Sequence, residues 1–225
     1  QVIGDYSNAV GYKAVASGDN SNAMGRSASA SGDNSIAIGN GSEASEVDSI
    51  AIGHSAYASG AQSVAYGTDA NAEGKYSVAL GSWAEAKNAF DTAVGYGASA
   101  SGVSATAIGR EASATHENSV ALGAGSVTSD DNTVSIGDVG KERKLTNLAA
   151  GVNDTDAVNV KQLNDAYQAI DANAALETLR HETVINELTG HDTRIAANAT
   201  AIKVNEELET LRHETVINEL TGHDT

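Results

Sequence analysis

The chain has 225 residues, no proline, no cysteine, one each of Phe, Trp and Met, twenty-three glycines and a formal net charge of −17. Aromatic side chains supply much of a core's buried area, so the composition argues against a conventional single-chain core, and the lack of cysteine excludes disulfide scaffolds, zinc ribbons and thiol chemistry. The acidity argues against nucleic acid, whose phosphates require basic patches.

From the start of the chain, glycine recurs without a break in phase at Gly11, Gly25, Gly39, Gly53, Gly67, Gly81, Gly95, Gly109, Gly123 and Gly137. An apolar residue precedes each one (Val10, Met24, Ile38 and so on to Ile136), and small residues follow three and five places later, as in Ala14 and Ala16. A second glycine falls seven residues after the first in several units (Gly18, Gly32, Gly60, Gly74, Gly102), and Gly4 fits the same slot. A fixed period of this kind marks a solenoid. Each unit has room for two short strands and two tight turns, with glycine supplying turn dihedrals that branched residues resist. The alternation in Ser35-Ile36-Ala37-Ile38-Gly39 reads as outward polar residues against inward small or branched ones. Coils stacked about 4.8 Å apart would give a rod roughly 45–50 Å tall. One such coil buries little, so the repeat predicts side-by-side packing of several chains.

The units Asn34-Ser35-Ile36-Ala37-Ile38-Gly39 and Tyr76-Ser77-Val78-Ala79-Leu80-Gly81, followed by Ser42-Glu43-Ala44 and Ala84-Glu85-Ala86, resemble the head repeats of trimeric autotransporter adhesins of the YadA type. The resemblance runs over residues 1–137. It implies an all-β, left-handed parallel β-roll head, three chains to one head, and display on a Gram-negative outer membrane. Repeats 36–49, 78–91 and 106–119 depart by carrying Glu46, Asn88 and His116 in the second-glycine slot, where the turn is expected to bulge or project a side chain.

Residues 138–163 resemble the neck of the same family through Leu148-Ala149-Ala150-Gly151 and Asp154-Thr155-Asp156-Ala157-Val158-Asn159-Val160-Lys161-Gln162-Leu163. In that family the neck narrows the wide head onto a thin coiled coil. Asp154, Thr155 or Asp156 would suit as N-cap of a helix beginning near Ala157. A hard cation shared by Asn153, Asp154 and Asp156 is the weaker reading, because no EF-hand glycine or twelfth-position Glu follows. The basic cluster Lys141, Arg143 and Lys144 is read as pinning neighbouring acidic groups.

Residues 164–225 read as an α-helical trimeric coiled-coil stalk. Leu188, Ile195 and Ile202 recur at seven, with Asn198 and Asn205 three places after the isoleucines, giving aliphatic a and Asn d positions. Residues 176–193 recur identically at 208–225, an offset of thirty-two, whose mean period near 3.56 residues per turn predicts slight supercoiling. Core asparagines fix register and oligomer state. Alternatively Asn198 and Asn205 converge on anions at the axis, and the resemblance of Ile195-to-Thr200 to halide-holding stalks of the family implies that reading. The chain is expected to be part of a longer fibre whose signal and membrane anchor lie outside these residues, since no apolar run approaches a membrane span and no secretion signal opens it.

No catalytic constellation stands out. His181 and His191 are ten apart and recur as His213 and His223, a spacing that suits no zinc pair, and His54 and His116 sit at different repeat phases. The calcium-roll motif is absent, no Gly-x-Ser-x-Gly elbow has its partners, and the acyltransferase solenoid has a period of six. No enzyme, metal or cofactor is expected beyond halide in the stalk. The reading is a homotrimeric surface adhesin that presents repeated weak contacts to collagen, fibronectin, laminin or a host receptor. The ligand names come from the resemblance, and the alternative is a structural spacer or autoagglutinating fibre segment. A phage fibre shaft would share trimeric β-solenoids and coiled coils, but the neck motif argues against it. Tyr12, Tyr57, Trp83 and Tyr96 are the bulky residues at outward phases, read as single surface aromatics or as contact residues.

Overall fold

The structure, a computed structural model, describes residues 1–222. The chain divides into two units, Gln1–Lys144 and Leu145–Thr225.

The first unit is a parallel β-roll. Every fourteen residues the chain makes one coil, with a long strand such as Ile36–Ile38, a first turn, a short strand such as Glu43–Ala44, and a second turn. Long strands stack into a 10-stranded sheet and short ones into an 8-stranded sheet. Pairing is parallel and in register with the repeat, as in Ile36↔Ile50, Ala37↔Ala51 and Ile38↔Ile52. Each residue therefore sits directly over its equivalent in the preceding coil.

The space between the sheets is filled almost wholly by alanine and serine. Ala23, Ala37, Ala51 and their equivalents from the long strands meet Ala16, Ala30, Ala44 and theirs from the short strands, all fully buried. Ser21, Ser35, Ser49, Ser63 and Ser77 form a third buried column. This corrects the reading of the strand alternation. Ser35 and Ala37 point inward, whereas Ile36 is half-buried and Ile38 exposed on the outer face. Volume decides the phase, because two sheets joined by such short turns leave room only for a methyl or hydroxymethyl group, and branched side chains must go outside.

Glycine is required in the turns by close approach. A Cβ on Gly60 would lie 2.0 Å from the Gly74 carbonyl oxygen, and one on Gly53, whose φ is +142°, 2.2 Å from that of Gly67. The coils with Glu46, Asn88 and His116 in the second-glycine slot compensate three residues on. Ser49 Oγ donates to the Glu46 carbonyl and Ser119 Oγ to the His116 carbonyl, each at 2.6 Å. In coils with glycine in the slot, Ser35, Ser63 and Ser77 keep a buried hydroxyl without a partner. The interior residue three places after each substituted slot thus bonds back to it, Ser49 and Ser119 through their hydroxyls and Asp91 through its carboxylate.

The roll closes at its C-terminal end on Arg143. Its Nη1 donates to Ser126 Oγ at 2.8 Å and to the Ile136 carbonyl at 2.7 Å, and its Nη2 donates to the Ala124 carbonyl. The expectation that the basic cluster pins acidic groups is therefore corrected for Arg143. Its planar fork saturates backbone carbonyls left exposed where strand stacking stops.

In the second unit a single helix, α1 (Val160–Gly222), follows an irregular segment. The N-cap is Asn159, not a residue of 154–156. Its Oδ1 accepts the Gln162 N–H at 3.1 Å, while Gln162 Oε1 accepts the Asn159 N–H at 3.3 Å. This is a reciprocal capping box. Gln162 also exchanges two 2.9 Å bonds with the backbone of Gly151, and Asn159 Nδ2 reaches the Leu148 carbonyl at 3.1 Å. The helix entrance and the Leu148–Gly151 segment are thereby fastened together.

Candidate functional site

The repeat writes the head's surface as columns, one side chain per coil. On the outer face of the 10-stranded sheet, the column Val10, Met24, Ile38, Ile52, Tyr66, Leu80, Val94, Ile108 and Leu122 is almost entirely apolar, and Met24 at 47% and Leu122 at 45% exposure show how little covers it in the single chain. Ile36, Ile50, Val64 and Val78 form a half-buried column beside it. The outer face of the 8-stranded sheet carries Glu43, Tyr57, Asn71, Glu85 and Ser99 instead, a polar surface suited to water.

The turn tips carry the aromatic residues. Of Tyr12, Tyr57, Trp83 and Tyr96, all exposed, the fold brings together two: Trp83 and Tyr96, on successive first turns, meet edge to face at 5.0 Å. Tyr12 stands apart with Lys13 Nζ 5.5 Å from its ring, and Tyr57 stands alone on the short-strand sheet. The second turns hold a pair that the sequence reading passed over. Tyr76 and Phe90 stack at 5.2 Å with 16° between their planes, and Lys75 Nζ lies 4.8 Å from the Tyr76 ring. Writing the sequence in rows of fourteen would have shown them, since they occupy one column. Trp83, Tyr76 and Phe90 all sit at left-handed φ of 56°, 61° and 65°, a conformation that bulky side chains adopt only at an energetic cost.

Inside the roll, Asp91 takes the place of the column's serine and is fully buried. Its Oδ2 accepts the Asn88 N–H at 2.7 Å and its Oδ1 the Ala105 N–H at 2.9 Å. Burial pushes its carboxyl above its ordinary range, while these donors and the Asn88 side chain pull it back. His116 Nδ1 lies 3.0 Å from Thr115 Oγ1 and 3.1 Å from Thr128 Oγ1, and His54 Nδ1 lies 3.2 Å from Ser55 Oγ. His54 is a hydrogen-bond partner within its own turn, and His116 bonds both to its neighbour and to the next coil. Among the described residues no group of three or more His, Cys, Asp or Glu is placed to hold a metal ion.

Asp156 is committed to the backbone. Its Oδ2 accepts the N–H groups of Val152 and Asn153 at 2.9 Å each and Asn153 Nδ2 at 3.2 Å, and those backbone bonds hold its carboxyl below the usual range. The Asn153–Asp156 segment is thus a turn tied by one carboxylate. On α1, Asn198 and Asn205 are exposed seven residues apart, on one side with Ile195 and Ile202. His181, His191 and His213 are exposed along the same helix, and His223 lies outside the described residues. No helix among the described residues is long and apolar enough to cross a membrane.

The comparisons agree with this architecture. The family model of the YadA head domain repeat matches residues 3–21, 23–42, 44–70, 72–98, 100–126 and 117–138. The model of the coiled stalk of trimeric autotransporter adhesins matches residues 144–178. No curated protein matches significantly. Among solved structures, the chain is similar to the collagen-binding domain of the Yersinia adhesin YadA, with 38% identity and a TM-score of 0.65 over 72% of this chain and 86% of that one. Family and fold are those of an adhesin and not of an enzyme, and the chain belongs to the YadA-type trimeric autotransporter adhesins.

Proposed function

We propose that the chain acts as a homotrimeric adhesin whose head binds collagen, displayed on a bacterial outer membrane by an anchor outside these residues. The observation that carries the ligand is the 38% identity to a collagen-binding domain across 72% of the chain. Two surfaces support the trimer. The apolar outer face of the 10-stranded sheet needs a partner, and so does a 63-residue helix whose aliphatic residues are exposed throughout. Three linked heads turn weak contacts with a repetitive ligand into stable attachment through effective concentration. In the stalk, Asn198 and Asn205 of three chains would surround halide on the axis, with their amide N–H groups as donors.

Binding of the purified trimer to immobilised collagen, fibronectin and laminin tests this reading. Saturable binding to collagen is expected. A flat response across the whole panel would favour a spacer or self-associating fibre segment. A stable monomer in sedimentation would refute the trimer, and a stalk crystal grown in bromide without axial anomalous signal at Asn198 would refute the anion.

A further inference from the structure

The second-turn edge changes character along the rod. Toward its two ends the leading tip position is acidic, Asp5, Asp19 and Asp33 on one side and Glu117 and Asp131 on the other, with Asn in the left-handed position at each of these turns except the first, where Tyr6 stands. Between them the leading tip position reads Val47, Ala61, Lys75, Ala89, Val103 on consecutive coils, with the stacked Tyr76 and Phe90 rings alongside. Val47, Tyr76, Phe90 and Val103 are 42%, 41%, 59% and 50% exposed. An exposed apolar strip rimmed by polar residues marks a contact surface.

A second copy of the chain is a poor occupant. Parallel copies packed about an axis along the rod would meet at every coil, and the apolar outer face of the 10-stranded sheet does run nearly the whole length, from Val10 to Leu122. The second-turn strip stops short at both ends, although that face continues past it. The strip therefore answers to something other than the repeat's own packing.

The alternation of large and small tips supplies a length scale. Ala61 and Ala89 are notches between Val47, Lys75 and Val103. They are two coils apart, which is about 9.6 Å at the interstrand spacing. A polyproline II chain presents the same face every three residues, about 9.3 Å at 3.1 Å per residue. Aromatic-lined surfaces recognise such chains because proline rings pack on aromatic faces and the extended chain has little entropy left to lose. A collagen triple helix is a straight rod of polyproline-like chains, and it matches a straight edge. We infer that the second turns from Val47 to Val103 dock one strand of a collagen-type triple helix laid along the roll axis, its proline rings seated over Ala61 and Ala89 and against Phe90. This placement rests on the collagen reading above.

The head itself supplies substitutions that the turn accepts. Asp occupies the tip position at Asp19 and Asp33, Lys at Lys75, and Asn the left-handed position at Asn20 and Asn34. One variant, V47D/Y76N/F90N/V103D, makes the strip polar, and a second, A61K/A89K, fills the notches while keeping the rings. Surface plasmon resonance of the trimer over an immobilised triple-helical (Gly-Pro-Hyp)10 peptide should show each variant weakened by at least about tenfold, with melting temperature and sedimentation unchanged. Wild-type binding retained undiminished in both variants overturns the placement alone. Wild type failing to bind the triple helix overturns the collagen reading and the placement together. Dissociation of either variant to monomers assigns the strip to a chain–chain interface, and equal wild-type affinity for a single-stranded proline-rich peptide removes the triple helix as ligand; both overturn the inference.

Discussion

Ser49 and Ser63 occupy the same interior column one coil apart, yet replacing each by alanine is expected to move stability in opposite directions. Ser49 Oγ donates to the Glu46 carbonyl at 2.6 Å, a bond that exists because Glu46 stands where most coils have glycine. Ser63 follows Gly60, and its hydroxyl is buried without a partner. A buried polar group left unpaired costs about 1–3 kcal/mol, whereas a formed hydrogen bond contributes about 1 kcal/mol. Alanine fits the column, since Ala105 already occupies it fully buried, so neither substitution strains the packing. Ser63→Ala should therefore stabilise by about 1 kcal/mol. Ser49→Ala should destabilise by about 1 kcal/mol, because it removes the hydroxyl bond and leaves the Glu46 carbonyl only the longer backbone bond from the residue 49 N–H at 3.2 Å. For a unit of this size the two variants should melt roughly 5–10 °C apart, read by circular dichroism. Ser119→Ala should follow Ser49→Ala, and Ser35→Ala and Ser77→Ala should follow Ser63→Ala. Shifts of the same sign across all five would refute the link between the slot residue and the interior hydroxyl.

Arg143→Ala should cost about 2 kcal/mol by stripping donors from Ser126 and the Ile136 and Ala124 carbonyls; hydrogen exchange should accelerate first in the last coils, and Lys should rescue poorly because it lacks the fork. Asp91 has its folded-state carboxyl raised, so the folded protein binds the proton more tightly than the unfolded chain. Its contribution is full below the ordinary value of 3.8 and is lost as pH rises through the folded value. Melting temperature should accordingly fall with pH across that window in wild type relative to Asp91→Asn, and parallel profiles would exclude the effect. Asp156 has the opposite sign: lowered by the Asn153 and Val152 N–H groups, it stabilises the neck turn above 3.8 and ceases to as pH falls through its folded value. The amide resonances of Val152 and Asn153 should titrate in that acid range, and Asp156→Ala should abolish the titration.

Much of this molecule was legible in the sequence because the repeat forces each residue to sit over its equivalent. The coil, its two turns and the heptad face around Ile195 and Ile202 all follow from spacing alone. The direction of the strands did not. In Ser35-Ile36-Ala37-Ile38 both alternating phases contain apolar residues, so hydropathy cannot choose between them, and only the narrowness of the roll sends Ala37 inside and Ile38 out. The helix cap was misplaced because four short polar residues compete over 154–159, although Asn159-x-x-Gln162 was there to be read as a capping box. Arg143 was unreadable, since its partners Ala124 and Ser126 come close only once the chain has turned back. The Tyr76–Phe90 stack lay within reach of the sequence but called for comparison down a column, not along the chain.

In-register stacking also sets the grain in which such a head can change. The strands of a coil pair with those fourteen residues before and after, so removing or duplicating one complete unit rejoins each column to an equivalent one. The rod then shortens or lengthens by one interstrand spacing, about 4.8 Å. A change of seven residues would instead bring a long strand against a short one and exchange the two sheets from that point onward. The length of the head is therefore adjustable in whole coils by gain or loss of units that share one frame, while the strip between Val47 and Val103 would be carried along the rod intact.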